Sequence, residues 1–417
     1  MEARTGWIPV MVKSKYCRLY NLSPEQLAQV HECPRDPGGY FIIKGAEKVI
    51  ISQERVVDSV PLVFQGKDGA PYIDFWSIDP ETYSRQRLLV YYQDDEVMVK
   101  IPRVAEKLRL VTVMDMLGKT TDREVANLVS GGEDIQELLL PSLLSRTHDN
   151  RKTEGLLPGI LPHAVGYKAE YLGYLVSKLL GAVISGDITD RDHLSSKAID
   201  TPGVLLGKLM EYLMSRMERS LVKLASHPGD PGHLINGSII GNGFKNALAS
   251  GNWMIPDGSR ATPRVGVAQI LDRFNGISSL SYCRRIEATL DSSTKYTRPR
   301  QLHPSQIMAI CPAETPEGAS IGISKNLAMA SRITTETDMT APVDLLRAMG
   351  IAPGFGNIFC NAVPIGTCPD PTELAMNLRQ KRRQGMIAKT TSVYVDYQDN
   401  TVHIDTSGGR FYRPVLC

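Results

Sequence analysis

The spacing of apolar positions divides the chain into β-rich ends and a helical middle. Near the N-terminus, Tyr40–Ile43 and Lys48–Ser52 read as two strands around Lys44-Gly45-Ala46-Glu47. Val90–Tyr92 and Val97–Ile101 form a second expected hairpin with Asp94-Asp95 at its tip. Val393–Tyr397 and Val402–Ile404 form a third, around Asp399-Asn400. Between these ends, Leu172, Leu175, Val176, Leu179, Leu180, Val183 and Ile184 recur at i, i+3, i+4, which predicts a helix with one buried stripe. Thr201-Pro202 has the chemistry of a helix start. Leu205, Leu206, Leu209, Met210, Leu213, Met214, Met217 and Leu221 then share one face. Those methionines read as core, with an adaptable binding surface as the alternative. From His227 to about Gly266 the chain is rich in Gly, Pro and Ser, which predicts a domain change or an extended excursion. A further helix is expected near Asp370-Pro371, carrying Arg379, Lys381, Arg382 and Arg383.

Composition narrows the class. A chain of 417 residues is long enough for more than one core. With 42% hydrophobic and 22% charged residues it is neither disordered, collagenous nor a coiled coil. Its apolar runs are far too short to span a bilayer, and its first residues lack the pattern of a secretory signal, so no membrane partner is expected. Lys and Arg number 47 against 45 Asp and Glu, a net charge of +2, so only local charge can point to a polyanion. The seven cysteines (Cys17, Cys33, Cys283, Cys311, Cys360, Cys368 and Cys417) are odd in number and none has C-x-x-C spacing. This argues against a disulfide framework or a structural zinc site, and for a reducing compartment.

Local charge does speak. From Ser259 to His303 stand Arg260, Arg264, Arg273, Arg284, Arg285, Lys295, Arg298 and Arg300, against Asp272, Glu287 and Asp291. Eight cations against three carboxylates leave +5 in a nearly neutral chain. Guanidinium forks match phosphate oxygens, so the window reads as a nucleic-acid contact or as a solvated basic surface. Cys311-Pro312-Ala313-Glu314-Thr315-Pro316-Glu317-Gly318 follows, a rigid loop whose Glu314 and Glu317 either orient arginines or a nucleotide, or are exposed turn residues. No neighbouring nucleophile or histidine completes a general acid/base site there. Asp187, Asp190, Asp192 and His193 resemble metal ligands, yet caps and turn hydrogen bonds account for them equally. Gly38-Gly39 and Gly408-Gly409 lack a following Gly-Lys-Ser/Thr and read as tight turns.

Several stretches together resemble one family, the second-largest, β-type subunit of multisubunit DNA-directed RNA polymerases, in its eukaryotic, archaeal and large-DNA-virus branch. Glu32-Cys33-Pro34, Gly38-Gly39-Tyr40-Phe41-Ile42-Ile43, Glu47-Lys48-Val49 and Gln53-Glu54-Arg55 are similar to the family's GGYFII…EKV…QER signature. Asp190-Arg191-Asp192-His193 resembles its lobe motif, and Asn246–Trp253 the segment returning to the protrusion. Gly266–Arg273, Leu280–Arg285, Arg298–His303, Cys311–Gly318 and Ser324–Leu327 resemble the fork. Gly409–Pro414 resembles a strand of the external region.

The resemblance implies a multi-domain α+β architecture: a partial protrusion over residues 1–65, a lobe over 66–235, a return segment of the protrusion over 236–265, a fork over 266–335 and a truncated external region over 336–417. It implies that Arg284, Arg285, Arg298, Arg300, Gln301 and Lys325 face nucleic acid or hold the fork loops. Gln269, Asp272, Arg273, His303, Glu314, Glu317 and Asn326 would line the active centre, with Glu317 near the incoming nucleotide, orienting an arginine supplied by another part of the polymerase. Gln269, Asp272 and Arg285 fall where bacterial relatives bind an inhibitor. In this family the Asp190–His193 motif is structural.

Catalytic Mg2+ would be held mainly by the largest subunit; no Asp-Phe-Asp-Gly-Asp occurs here, and no zinc site is expected. The expected partners are that largest subunit, the second half of this one, further polymerase subunits, template DNA, the RNA transcript and NTP. The expected location is intracellular: the nucleus, or cytoplasm and virion for a viral protein. The family's hybrid-binding and zinc-bearing segments have no match in the sequence, so the chain alone is expected to be inactive, either a fragment or one piece of a split subunit. The rival reading is a non-catalytic assembly or regulatory module derived from this subunit.

Overall fold

A computed structural model describes residues 6–79, 82, 84–102, 104–129, 131–146, 157–225, 238–257, 260–350, 354, 356–397 and 399–413. It is a mixed α+β molecule in two compact units, Met1–Arg55 with Ile199–Arg332, and Val56–Ala198 with Ile333–Tyr412. The start of the glycine-rich stretch, residues 226–237, along with Ser259 and Pro414, lies outside the described residues.

In the first unit the expected N-terminal hairpin is present as Phe41–Ile43 and Ala46–Ile50, paired Phe41↔Lys48 to Ile43↔Ala46. Ala268–Ile270 adds a third strand beside Ala46–Ile50. Helix Pro202–Ala225 begins at the predicted proline and buries Leu205, Leu209, Leu213 and Met217, so the methionine-bearing face is core. Its partner is a helix that the composition concealed: Ser238–Ser250 lies inside the stretch expected to be an excursion. Ile240, Phe244, Ala247 and Leu248 bury its inner face, at helical spacing. Its glycines are contact residues, because a Cβ on Gly243 would overlap the Leu213 side chain. Trp253, almost fully buried, closes this core and donates from Nε1 to Ala247 O at 3.1 Å. The chain continues as a hairpin, Trp253–Asp257 with Arg260–Arg264.

The second unit carries a five-stranded antiparallel meander, Leu62–Gln65, Pro71–Ile78, Arg85–Gln93, Glu96–Lys100 and Leu108–Arg109. Asp94 and Asp95 form its predicted tip, both left-handed at φ 53° and 59°, as a two-residue type I′ turn requires. Helix Lys168–Ser185 lays most of the expected stripe across this sheet, burying Leu172, Leu175, Val176, Leu179 and Leu180; Ile184, in its last turn, is exposed, and the helix stops at Gly186 with φ 74°. A second sheet orders Val363–Cys368, Gly356–Cys360, Thr401–Asp405 and Ser392–Asp396. Its last two strands are the third predicted hairpin. Helix Pro371–Arg383 packs on it, capped by Asp370, whose Oδ1 accepts from Thr372 N and Glu373 N. Lys178 donates to Asp396 and Asp399 at 3.2 and 2.7 Å, tying the long helix to this hairpin within the unit.

Candidate nucleic-acid interface

The frame is a small sheet in the first unit. Ser324–Asn326 runs antiparallel to Arg285–Glu287, which runs parallel to Ser52–Val56. The loop with Glu314 and Glu317 leaves this frame at Cys311, whose N–H donates to Asn326 O at 2.9 Å. Helix Gly276–Cys283 precedes it. Asn275 caps the helix by accepting from Ser278 N at 2.8 Å. The helix is turned inside out: Ser279 is buried, while Ile277 and Leu280 are exposed.

Much of the local positive charge is already committed. Arg284 Nη2 donates to the carbonyls of Ala328, Met329 and Ser331 at 2.7, 3.3 and 3.1 Å. Arg300 spans two loops, donating to Ala319 and Ile321 O from one nitrogen and to Ser292 and Thr294 O from the other. Arg273 grips Glu47 bidentately at 2.8 and 2.9 Å, reaches Asp36 at 3.1 Å, and lies 4.8 Å over the Tyr40 ring. Burial raises the Asp36 carboxyl, but hydrogen bonds from Tyr40 and Gly38 and the Arg273 charge outweigh it and leave it below its ordinary value. Lys325 is buried and donates to Glu54 at 3.0 Å. The outward-facing part of the window is therefore smaller than its count of cations: Lys295, Arg298 and Gln301 are exposed, and Arg285 stacks 4.1 Å over Tyr282.

The remaining predicted residues fall into two groups. Gln269 Nε2 donates to Glu287 Oε1 at 2.8 Å, and burial pushes the Glu287 carboxyl up against the opposing effects of that bond and of Arg285. Asn326 shares the sheet of Glu287 but is only 3% exposed. Glu314 accepts from the Ser281 hydroxyl, pinning the proline loop to the inside-out helix. Thr315 Oγ1 donates to Ser324 O at 2.9 Å and accepts from Gly322 N at 3.0 Å. Glu317, exposed, starts the short 3-10 turn Gly318–Ser320. By contrast, Asp272 is occupied with a local turn, accepting from Phe274 N at 2.9 Å, and His303 caps its own turn by accepting from Ser305 N.

One glycine fixes how these loops meet. Gly322 has φ 70°, and an added Cβ would overlap the Arg300 carbonyl oxygen. Gly322→Ala is expected to cost about 2 kcal/mol, read as a lower thermal midpoint, because both the left-handed backbone and the carbonyl contact resist it.

The sequence reading missed the acidic partners. Glu47 and Glu54 stood inside the quoted motifs and Asp36 between two of them, all without a role, and a charge count cannot say which cation each meets. It also missed a triad around buried Asp200, which accepts from Arg55 at 2.7 Å and from Lys208 at 2.6 Å. The Asp187–His193 cluster is built as turns: Asp190 Oδ1 accepts from Asp192 N at 2.9 Å and His193 Nδ1 bonds the Ser195 hydroxyl at 2.6 Å. No metal-sized group of three or more His, Cys, Asp or Glu occurs among the described residues, and none of their helices is long and apolar enough to cross a membrane. A cavity of about 750 Å3 in the second unit, lined by Tyr174, Lys178, Thr189 and Asn357, includes Asp187 of the acidic cluster but none of the residues expected to contact nucleic acid or line the active centre.

Three family models match the chain. They describe the RNA polymerase beta subunit over residues 1–235, RNA polymerase Rpb2 domain 3 over residues 269–333, and RNA polymerase Rpb2 domain 4 over residues 358–417. Similar proteins include DNA-directed RNA polymerase II subunit RPB2 of Encephalitozoon cuniculi, 31% identical over 99% of this chain and 41% of its own length. DNA-directed RNA polymerase II subunit 2 of Arabidopsis thaliana is 29% identical over 99% of this chain and 40% of its own. DNA-directed RNA polymerase III subunit RPC2 of Drosophila melanogaster is 28% identical over 99% and 41%. The chain thus spans about two fifths of the length of these relatives.

Proposed function

Because this chain belongs to the RNA polymerase beta-subunit family, we propose that it forms one side of the DNA cleft and active-centre fork of a DNA-directed RNA polymerase. The observation that carries the reading is the tie between the proline loop and the basic strand region. Glu314 accepts from Ser281, Thr315 bonds Ser324, and Arg285 stands on the strand paired to Ser324–Asn326, with Lys295 and Arg298 exposed nearby in sequence. Phosphoryl transfer along a template depends on positioning and charge neutralisation more than on covalent protein chemistry. In this reading Arg285, Arg298 and Gln301 meet the nucleic-acid backbone. Arg284, Arg300 and Lys325 hold the loops that present it, and Glu317 orients an arginine supplied by another part of the polymerase near the nucleotide.

Mg2+ bound by the largest subunit would neutralise the reacting oxygens of RNA and nucleotide. This chain supplies aim and grip, working with the largest subunit, the rest of its own subunit, template, transcript and NTP, in the nucleus. Arg285→Ala in the assembled enzyme is expected to weaken the elongation complex and flatten the dependence of log K on log salt by about one unit. Filter binding across a salt series measures it, and an unchanged slope removes Arg285 from the phosphate contacts.

The exposed apolar residues Phe274, Ile277 and Met329 favour docking on another polypeptide, which a non-catalytic assembly module would share. Purification of the tagged chain from its source decides between the two. An associated complex that incorporates labelled nucleotide on template DNA supports the polymerase reading; a stable complex without that activity supports the module.

A further inference from the structure

The small sheet around Arg285 has a face made of polar side chains. Leu327 N donates to Arg284 O at 3.1 Å and Ala288 N to Ile323 O at 3.0 Å. The pairs between those bonds, Arg285↔Asn326 and Glu287↔Ser324, alternate with the bonded rows. Arg285 and Asn326 are therefore a non-hydrogen-bonded pair, whose Cα atoms approach to about 4.5 Å and whose side chains rise together from one face. Glu287 and Ser324, two residues along, rise from the same face. The Glu287 carboxylate is met by Gln269. Three atoms of this face are not met: Arg285 Nε, Asn326 Oδ1 and Ser324 Oγ are buried and have no hydrogen-bond partner in the protein. Ser324 and Asn326 are only 4% and 3% exposed, so bulk solvent does not serve them.

The three atoms are complementary: one donor, one acceptor, and a hydroxyl that can be either. We infer that a buried water molecule binds between Arg285, Asn326 and Ser324, accepting from Arg285 Nε–H and donating to Asn326 Oδ1 and Ser324 Oγ. Three hydrogen bonds is the usual complement of an internal water, and adjacent unmet polar groups are where such waters sit. The guanidinium is then held at two places, by its stack on Tyr282 and by this bridge to the neighbouring strand. Asn326 becomes a positioning residue that fixes the direction of Arg285 without touching any ligand.

A crystal structure of the full chain at a resolution that orders internal solvent tests this, and the result does not depend on RNA synthesis. The expected result is one compact density peak about 3 Å from all three atoms. Arg285 Nε bonded directly to Asn326 Oδ1 with nothing between them, or a dry site, overturns the inference. Asn326→Leu is expected to abolish the peak, free the Arg285 side chain and lower Tm by about 2 °C; persistence of the peak in this variant also overturns it. If Asn326→Leu does not fold, the density in the unaltered chain decides alone.

Discussion

Lys325→Ala is expected to destabilise the first unit by about 3–5 kcal/mol, more than any surface substitution in the same loops. The Lys325 side chain is 6% and the Glu54 side chain 13% exposed, with Nζ and Oε2 at 3.0 Å. Removing Lys325 leaves the carboxylate in a low-dielectric site without its main counter-charge. Glu54→Ala removes the ammonium's 3.0 Å partner in the same way. The double variant Glu54→Gln with Lys325→Met should recover much of the loss, since neutral groups of similar size avoid the penalty of desolvating an unpaired charge. Urea unfolding of the three variants measures these differences. Single-variant losses below about 1 kcal/mol would show that the pair behaves as a solvated one.

Acid should loosen the second unit between pH 6.5 and 4. His163 is 7% exposed, bonded through Nδ1 to the Ser77 hydroxyl at 2.7 Å and packed edge-on to Tyr171 at 4.6 Å. Burial, assisted by the Lys168 charge, lowers its pKa from 6.5 to about 4. The unfolded chain therefore binds a proton that the folded chain refuses. The stability this group contributes is complete above pH 6.5 and is lost as pH falls toward 4. A shift of that size corresponds to about 3 kcal/mol. His403, whose pKa burial also lowers to about 4, acts in the same direction over the same window. Thermal unfolding at pH 7 and pH 4.5 should show a large loss in the unaltered chain and a clearly smaller one in His163→Gln. Equal losses in the two would assign the acid sensitivity to other groups.

These groups mark where sequence reading reached and where it stopped. The three hairpins and the helix Lys168–Ser185 were legible because alternation, turn residues and the i, i+3, i+4 stripe are local signals. Helix Ser238–Ser250 was hidden because its Gly243 serves a close approach to Leu213, and glycine by composition looks like a turn. At the candidate interface, the motifs named segments that the fold brings together, but the pairing of charges was out of reach. Glu47 meets Arg273 across 226 residues and Glu54 meets Lys325 across 271, contacts that only the folded chain specifies. Arg284 and Arg300 were read as phosphate contacts or loop holders alike, since a guanidinium fork serves a phosphate and a set of carbonyls with the same donors. Buried His163 had no motif to announce it; its role comes from the sheet and helix that close over it.

The most direct measurement of the central claim is a crosslink. Gln301 is exposed and follows Arg300, whose guanidinium is occupied by loop carbonyls, so a photoreactive p-benzoylphenylalanine there leaves the framework intact. In a stalled elongation complex with labelled template and transcript, the account predicts that irradiation attaches label from nucleic acid to this chain. Crosslinks to protein alone, in a complex that still extends RNA, would contradict it.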